Sequence, residues 1–346
     1  MSMRSPLLLS LLPSLMMALL ATESLLAARV PTRTANVAPR RPVLPPATPQ
    51  GPAHPIDRLL ILHKNAQAPP VPGLLTDHAF ARRVHLDLVG LLPSPSQLKQ
   101  FLADPPASRR ELLVDRLLAD RQAFAAHWMV FWNDRLRNAY RGTGFIDDGR
   151  RQITGWLYRS LYNDKPYDRF AHELVSPVEG SGGFIRGIKW RGVVNASQER
   201  EVQAAQGLAQ VFLGTNLKCA SCHDSFINDW KLDDAYALAA VFADRPLELH
   251  RCNKPTGKTA RVGFLFPSLG SIAAGGTRTE RLVRLADLLV TRRNGRFTRP
   301  IVNRLWAALI GRGLVEPVDE MERDAWHPEL LDWLAEDLAD HEFDLK

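Results

Sequence analysis

From Thr76 onward the sequence divides itself into helices, because starting and stopping residues bracket segments whose apolar positions recur every three or four residues. Thr76 is placed to cap a helix with Phe80, Val84 and Leu88 on one face, and Gly90 to end it. Ser94, Pro95 and Gln97 make a capping box with proline at the first helical position, and Ser108 with Glu111 predicts a second box ahead of Leu113, Leu117 and Leu118. The next helix, QAFAAHWMVFWNDRL, is aromatic-rich and is expected in the core. RRQITGWLYRSLY and KPYDRFAHELV follow, then a glycine-rich break, EGSGGFIRGIKWRG. A long amphipathic segment runs from Ser197 to Phe212 and stops at Gly214. Asp233 is read as the cap of DDAYALAAVFAD, and the unpatterned stretch from Arg245 to Gly276 as a connection. Helices resume at RTERLVRLADLLVTRR, at TRPIVNRLWAALIGRG with Thr298 as cap and Gly311 as stop, and at HPELLDWLAEDLAD with His327 at its N-terminus. Alternating strand patterns are few and no fixed-period repeat occurs, so the expected class is mainly α.

Five residues after Gly214 comes CASCHD, residues 219 to 224. On a helical turn Cys219, Cys222 and His223 stand three and four positions apart and can face one side. Covalent haem c needs that arrangement: two thiols add to the two vinyl groups and the adjacent imidazole reaches the iron as proximal ligand. The rival reading is zinc, with Cys219, Cys222, His250 and Cys252 as a Cys3His set, although His250 and Cys252 are closely spaced for one tetrahedral ion. A catalytic dithiol would want a preceding strand and a βαβ unit, and two buried structural cysteines beside a surface histidine remain a further alternative.

The N-terminus supplies the compartment. Arg4 precedes an apolar run from about Pro6 to Ala21, with small residues at Ala27 and Ala28, so residues 1–28 read as a signal peptide and the protein as exported, periplasmic or at the cell surface. A membrane is involved only if that peptide stays uncleaved. Between Arg29 and Ile56 lie four arginines, eight prolines and no acid, which predicts a disordered tether over 29–55. Of the formal charge of +7, the tether carries +4 and residues 1–28 cancel (Arg4 against Glu23), leaving +3 for the rest; nucleic acid is therefore not an expected partner. Three cysteines in an oxidising compartment cannot all pair, which leaves Cys252 odd.

Other features are weaker. His63, His78, His85, His172, His327 and His341 read as single structural histidines, and the row Arg278, Arg281, Arg284 as a solvated face that could meet haem propionates. No G-x-S-x-G, phosphate loop, H-E-x-x-H or dinucleotide fingerprint is present.

Several segments together carry a family likeness: IDRLLILHKNA, RRVHLDLVGLLPSPSQLKQFLADP, LLVDRLLAD, NDKPYDRFAHELV and GLAQVFLGTNLKCASCHDSFINDWKLDDAYALAAVFA, then FTRPIVNRLWAALIGRGLVEPVDE and HPELLDWLAEDL. The chain resembles a planctomycete-type pair, a cytochrome-associated domain of unknown function followed by the N-terminal part of a second domain of unknown function. The resemblance implies an exported haem protein linked to electron transfer in polysaccharide breakdown, with a redox partner, and lends no catalytic residue. WMVFWNDRLRNAYRG departs from the tyrosine and acid pattern of that family, and Lys346 falls where the second domain would normally continue.

The expected architecture is thus a multi-helical, c-type-haem-bearing domain over 56–245, a connection over 246–277 and a short helical C-terminal region over 278–346. His127, in AAHWMVFW with Phe124, Trp128 and Phe131 around it, is the candidate distal ligand, ahead of Met321 in the acidic loop VDEMERD and His250 in the connection. Bis-histidine iron would favour electron transfer; an open sixth position would admit oxidase or peroxidase chemistry. A non-redox module in a carbohydrate-processing assembly would instead need exposed tryptophans such as Trp190 and Trp230.

Overall fold

Capping chemistry sets most of the helix boundaries. The computed structural model describes residues 32–44, 46, 54–63, 73–138, 146–148, 152–192 and 194–346; the predicted signal peptide, 1–28, lies outside them. Among the described residues twelve α-helices follow in order: α1 Pro55–His63, α2 Asp77–Val89, α3 Pro95–Ala103, α4 Arg109–Ala119, α5 Arg121–Leu136, α6 Thr154–Tyr162, α7 Tyr167–Val175, α8 Arg200–Leu213, α9 Leu232–Ala239, α10 Arg278–Val290, α11 Gly295–Ile310 and α12 Pro328–Asp340. Two short antiparallel pairs join them, β1 (Ile146–Asp148) with β2 (Lys189–Trp190) and β3 (Glu248–Arg251) with β4 (Lys254–Thr259). The class is mainly α, as read from the sequence.

Thr76 accepts the Ala79 amide and Gly90 ends α2 in the left-handed region at φ 71°. Ser94 and Gln97 form the predicted box. Ser108 precedes α4 but makes no side-chain cap bond, so the second box is absent. Helix α9 begins at Leu232, ahead of the predicted Asp233 cap: Asp234 accepts the Lys231 amide at 3.0 Å and Asp224 accepts the Leu232 amide at 3.0 Å. Helix α11 begins at Gly295, with Asn294 accepting the Arg296 amide at 3.1 Å; Thr298 lies inside the helix and is buried. His327 does cap α12, taking the Leu330 amide on Nδ1 at 3.3 Å while Nε2 meets the Leu59 carbonyl at 3.1 Å.

Two apolar clusters hold these elements. A small one, with Ala81, Val89, Phe101, Leu113 and Leu117, closes α2, α3 and α4 on one another. The main one runs without interruption from Leu59 through Trp132, Tyr167 and Phe212 to Phe297, Leu331 and Phe343. Tyr167 stacks on Phe297 at 4.6 Å between ring centres, so α7 and α11 share one interior. The predicted connection carries the β3–β4 hairpin, and the C-terminal helices complete the core of the preceding part instead of forming a separate one.

The expected tether is also engaged. Buried arginines of α11 hold its backbone: Arg296 donates to Ala35 O at 3.0 Å, Arg299 to Asn36 O at 2.8 Å and Ala38 O at 3.0 Å, and Val37 O accepts the Gly295 amide at 2.7 Å. Proline and basic content predict an extended chain, and the chain over 32–44 is indeed without helix or strand. Its carbonyls nevertheless take up N–H groups that the carboxylate partners Glu322 and Asp332 leave free on these buried guanidinium groups.

Candidate functional site

The CASCHD turn is built from its two ends inward. Helix α8 stops at Gly214, whose φ of 55° suits glycine and whose missing side chain makes room for Met321: a Cβ there would lie 2.5 Å from Met321 Cγ. The chain then folds into one irregular turn. The Ser221 amide bonds Leu217 O at 2.9 Å, Cys222 N bonds Cys219 O at 3.0 Å and His223 N bonds the same oxygen at 3.2 Å. Leu217, Ala220 and Ser221 face the core, and the Ser221 hydroxyl links the Gln206 amide of α8 at 2.7 Å to Leu217 O at 2.8 Å. Cys219, Cys222 and His223 are left half-buried on the outer side. The sequence reading expected these three on a helical turn; the segment is an irregular turn without a regular helix.

The far end is tied as firmly. Trp230, fully buried, donates from Nε1 to Glu322 at 3.1 Å, and its carbonyl accepts the Ser225 amide at 2.9 Å. Glu322 in turn pairs at 2.5 Å with Arg296, which reaches Leu213 O and the Thr215 hydroxyl at the near end. One buried ion pair thus fastens both ends of the loop from Gly214 to Trp230. Trp230 therefore cannot be a sugar-stacking platform, and Trp190 is only half-exposed.

His223 Nδ1 lies 2.7 Å from the Asp224 carbonyl, an atom that only accepts; the ring therefore carries its proton on Nδ1, and in the neutral imidazole the lone pair sits on Nε2. Phe226 packs beside the ring at 4.7 Å and is 85% exposed, with Ile227 half-exposed next to it. Cys222 donates from Sγ to Asn195 Oδ1 at 2.8 Å, and its carbonyl accepts the Cys252 amide at 3.1 Å. All three cysteines are free thiols. Tyr236, buried behind the turn, faces Cys222 and the His250 backbone, and burial pushes its phenol up to about 12.

These features fit a haem c: two half-buried free thiols and an imidazole within one turn, the imidazole with Nε2 free of its Nδ1 hydrogen bond, and exposed apolar side chains next to it. The zinc set is less well served. Cys252 and His250 do come to the turn on the β3–β4 hairpin, but among the described residues no group of three or more His, Cys, Asp or Glu is placed to hold a metal ion.

His127 is half-buried on α5 with its ring against Gly90, at the end of α2, and edge-on to Trp128 at 5.5 Å; no hydrogen bond, ion pair or ring contact joins it to the turn. Met321, expected in a polar loop, is fully buried against Gly214, its amide bonded to Gly214 O at 2.8 Å. The arginine row is spent on structure: Arg281 holds the Gly276, Val241 and Ala243 carbonyls, Arg284 the Ser271 carbonyl, and Arg278 approaches Asp244 at 3.8 Å. His85 bonds Ala81 O and His341 bonds Asp337 O within their own helices, and His172 meets Asp287. Asn195, Asp224 and Phe226 were missed as site residues. The N-x-x-Q capping box of Asn195 and Gln198 was readable, but its contact with Cys222 depends on a fold over 27 positions.

Residues 55–246 match the model of a family described as a protein of unknown function, DUF1549 (PSCyt2), and residues 281–346 match that of a second, DUF1553 (PSD1). No curated protein and no solved structure matches the chain.

Proposed function

The chain belongs to the PSCyt2 family (DUF1549), with a PSD1 segment after it, and from that membership and the geometry of its turn we propose an exported c-type haem protein that exchanges electrons with a redox partner. The observation that carries this reading is the pairing of two half-exposed thiols with an imidazole whose Nδ1 proton is held by the Asp224 carbonyl. Cys219 and Cys222 would hold the haem covalently and His223 would bind its iron through Nε2. When bound, the haem supplies a one-electron couple.

The chain's own residues prepare this attachment. The Asp224 carbonyl fixes the tautomer and orientation of His223, in the way that outer hydrogen bonds orient metal-bound histidines. Gln206, Ser221 and the Arg296–Glu322 pair keep the turn that carries the two thiols and the ring from fraying. Phe226 and Ile227 offer apolar surface beside His223 and leave the site at the protein's exterior, where a partner protein can reach it. The family resemblance adds polysaccharide-processing machinery as the setting in which that partner acts.

The test is expression of the full chain with a c-type haem-attachment system, followed by acid–acetone extraction. Colour should stay with the protein, and replacing Cys219 and Cys222 together with alanine should let it leave in the solvent. A colourless chain, or colour fully extracted from the unaltered one, contradicts the reading.

A further inference from the structure

Cys252 has no role in the site described above, yet it is bound to it. It occupies the turn between β3 and β4 at φ 57°, with an exposed side chain. Its amide donates to Cys222 O at 3.1 Å and its carbonyl accepts the Ala196 amide at 2.7 Å. The Cys222 thiol points at Asn195, the residue before Ala196, at 2.8 Å. Cys252 is therefore held between Cys222 and the short segment toward which the Cys222 sulfur already turns.

From this arrangement we propose that Cys222 and Cys252 form a reversible disulfide in the haem-free chain. The single hydrogen bond from the Cys252 amide to Cys222 O sets the two backbones side by side. A disulfide needs Cα atoms roughly 4.4–6.8 Å apart, which residues in direct backbone contact can meet. Cys219 shares no such hydrogen bond with Cys252; its carbonyl accepts from Cys222 and His223 inside the turn. The oxidant is a small-molecule disulfide. The exposed Cys252 thiolate attacks it, forming a mixed disulfide and releasing one thiol; the Cys222 thiolate then attacks the Cys252 sulfur, closing the intramolecular bond and releasing the second. Two protons and two electrons leave the protein and convert one disulfide into two thiols. A consequence, which rests on the haem reading, is that the bridge withholds Cys222 from haem until a reductant opens it.

The haem-free full chain, treated with oxidised glutathione, alkylated and mapped without reduction, tests this. The three free thiols should fall to one, Cys219, with the peptides of Cys222 and Cys252 cross-linked. The same link should form in Cys219→Ser, where a bridge within the turn is impossible. A Cys219–Cys222 bridge, or glutathione left on Cys252 with Cys222 still alkylatable, overturns the proposal. In a second arm the oxidised chain should take up no haem until a reductant is added, and uptake by the oxidised chain overturns the guarding role. A fully reduced chain that takes up none speaks against the haem reading and leaves the mapped cross-link standing.

Discussion

Arg296 shows how much of the site depends on one side chain. It is fully buried, and it donates to Leu213 O at 3.0 Å, to the Thr215 hydroxyl and to Glu322 at 2.5 Å, and to Ala35 O at 3.0 Å. Burial works against its charge and lowers its pKa, while the Glu322 carboxylate opposes that shift. Phe266 lies under the guanidinium at 5.5 Å. A charge so placed tolerates water exclusion only while its partners remain. Glu322→Ala removes the anion and the Trp230 acceptor together, and is expected to cost about 3–5 kcal/mol in urea unfolding, the range for breaking a buried pair. A loss below about 1 kcal/mol, the worth of an exposed pair, would show that the pair does not fasten the loop. That Arg296, Arg299 and Arg304 are all buried follows from acceptors many positions away, which no local pattern in the sequence records.

At the level of elements, local chemistry and its limits separate cleanly. Helices whose signals are contained in one turn were legible: Thr76 to Gly90, Ser94 with Gln97, His327 before Pro328. Ser108 with Glu111 has the same letters as a capping box, but Ser108 sits at φ −121°, ψ −4° and makes no cap bond. Chain entry after Pro105, not the motif, decides that geometry. The two sites give a paired prediction: Ser94→Ala should cost about 1 kcal/mol of stability, and Ser108→Ala should be neutral in the same denaturation series. Equal losses at the two positions would contradict the assignment of caps. The β3–β4 hairpin escaped notice because its strands are short and β4 is exposed throughout, so no apolar alternation marks it. The hairpin's approach to Cys222 was not legible, since it is set by packing between remote elements.

Across the whole molecule, the two family segments and residues 32–44 make one structure around a common core. The outer end of the N-terminal segment is held by charge: Arg41 bonds Asp340 at 2.8 Å, and Arg292 shares the same oxygen. The hydrogen bond from Arg41, with the charges of Arg41 and Arg292, holds Asp340 below its ordinary 3.8. A carboxyl whose folded pKa is depressed contributes fully above the unfolded value, and that contribution is lost as pH falls through the folded one. The side-chain resonances of Arg41 should therefore shift toward those of a free arginine as pH drops below 3.8, before the chain unfolds globally. Resonances that change only with global unfolding would contradict this anchoring. Among the described residues no helix is long and apolar enough to cross a membrane. The most direct test of the CASCHD turn's role is the mass and optical spectrum of the peptide spanning Cys219 to His223, taken from chain made with a haem-attachment system. A peptide carrying one haem through both thiols, with the visible bands of a c-type haem, is the predicted result. The same peptide recovered with two unmodified cysteines, from cells that attach haem to a control cytochrome, would contradict it.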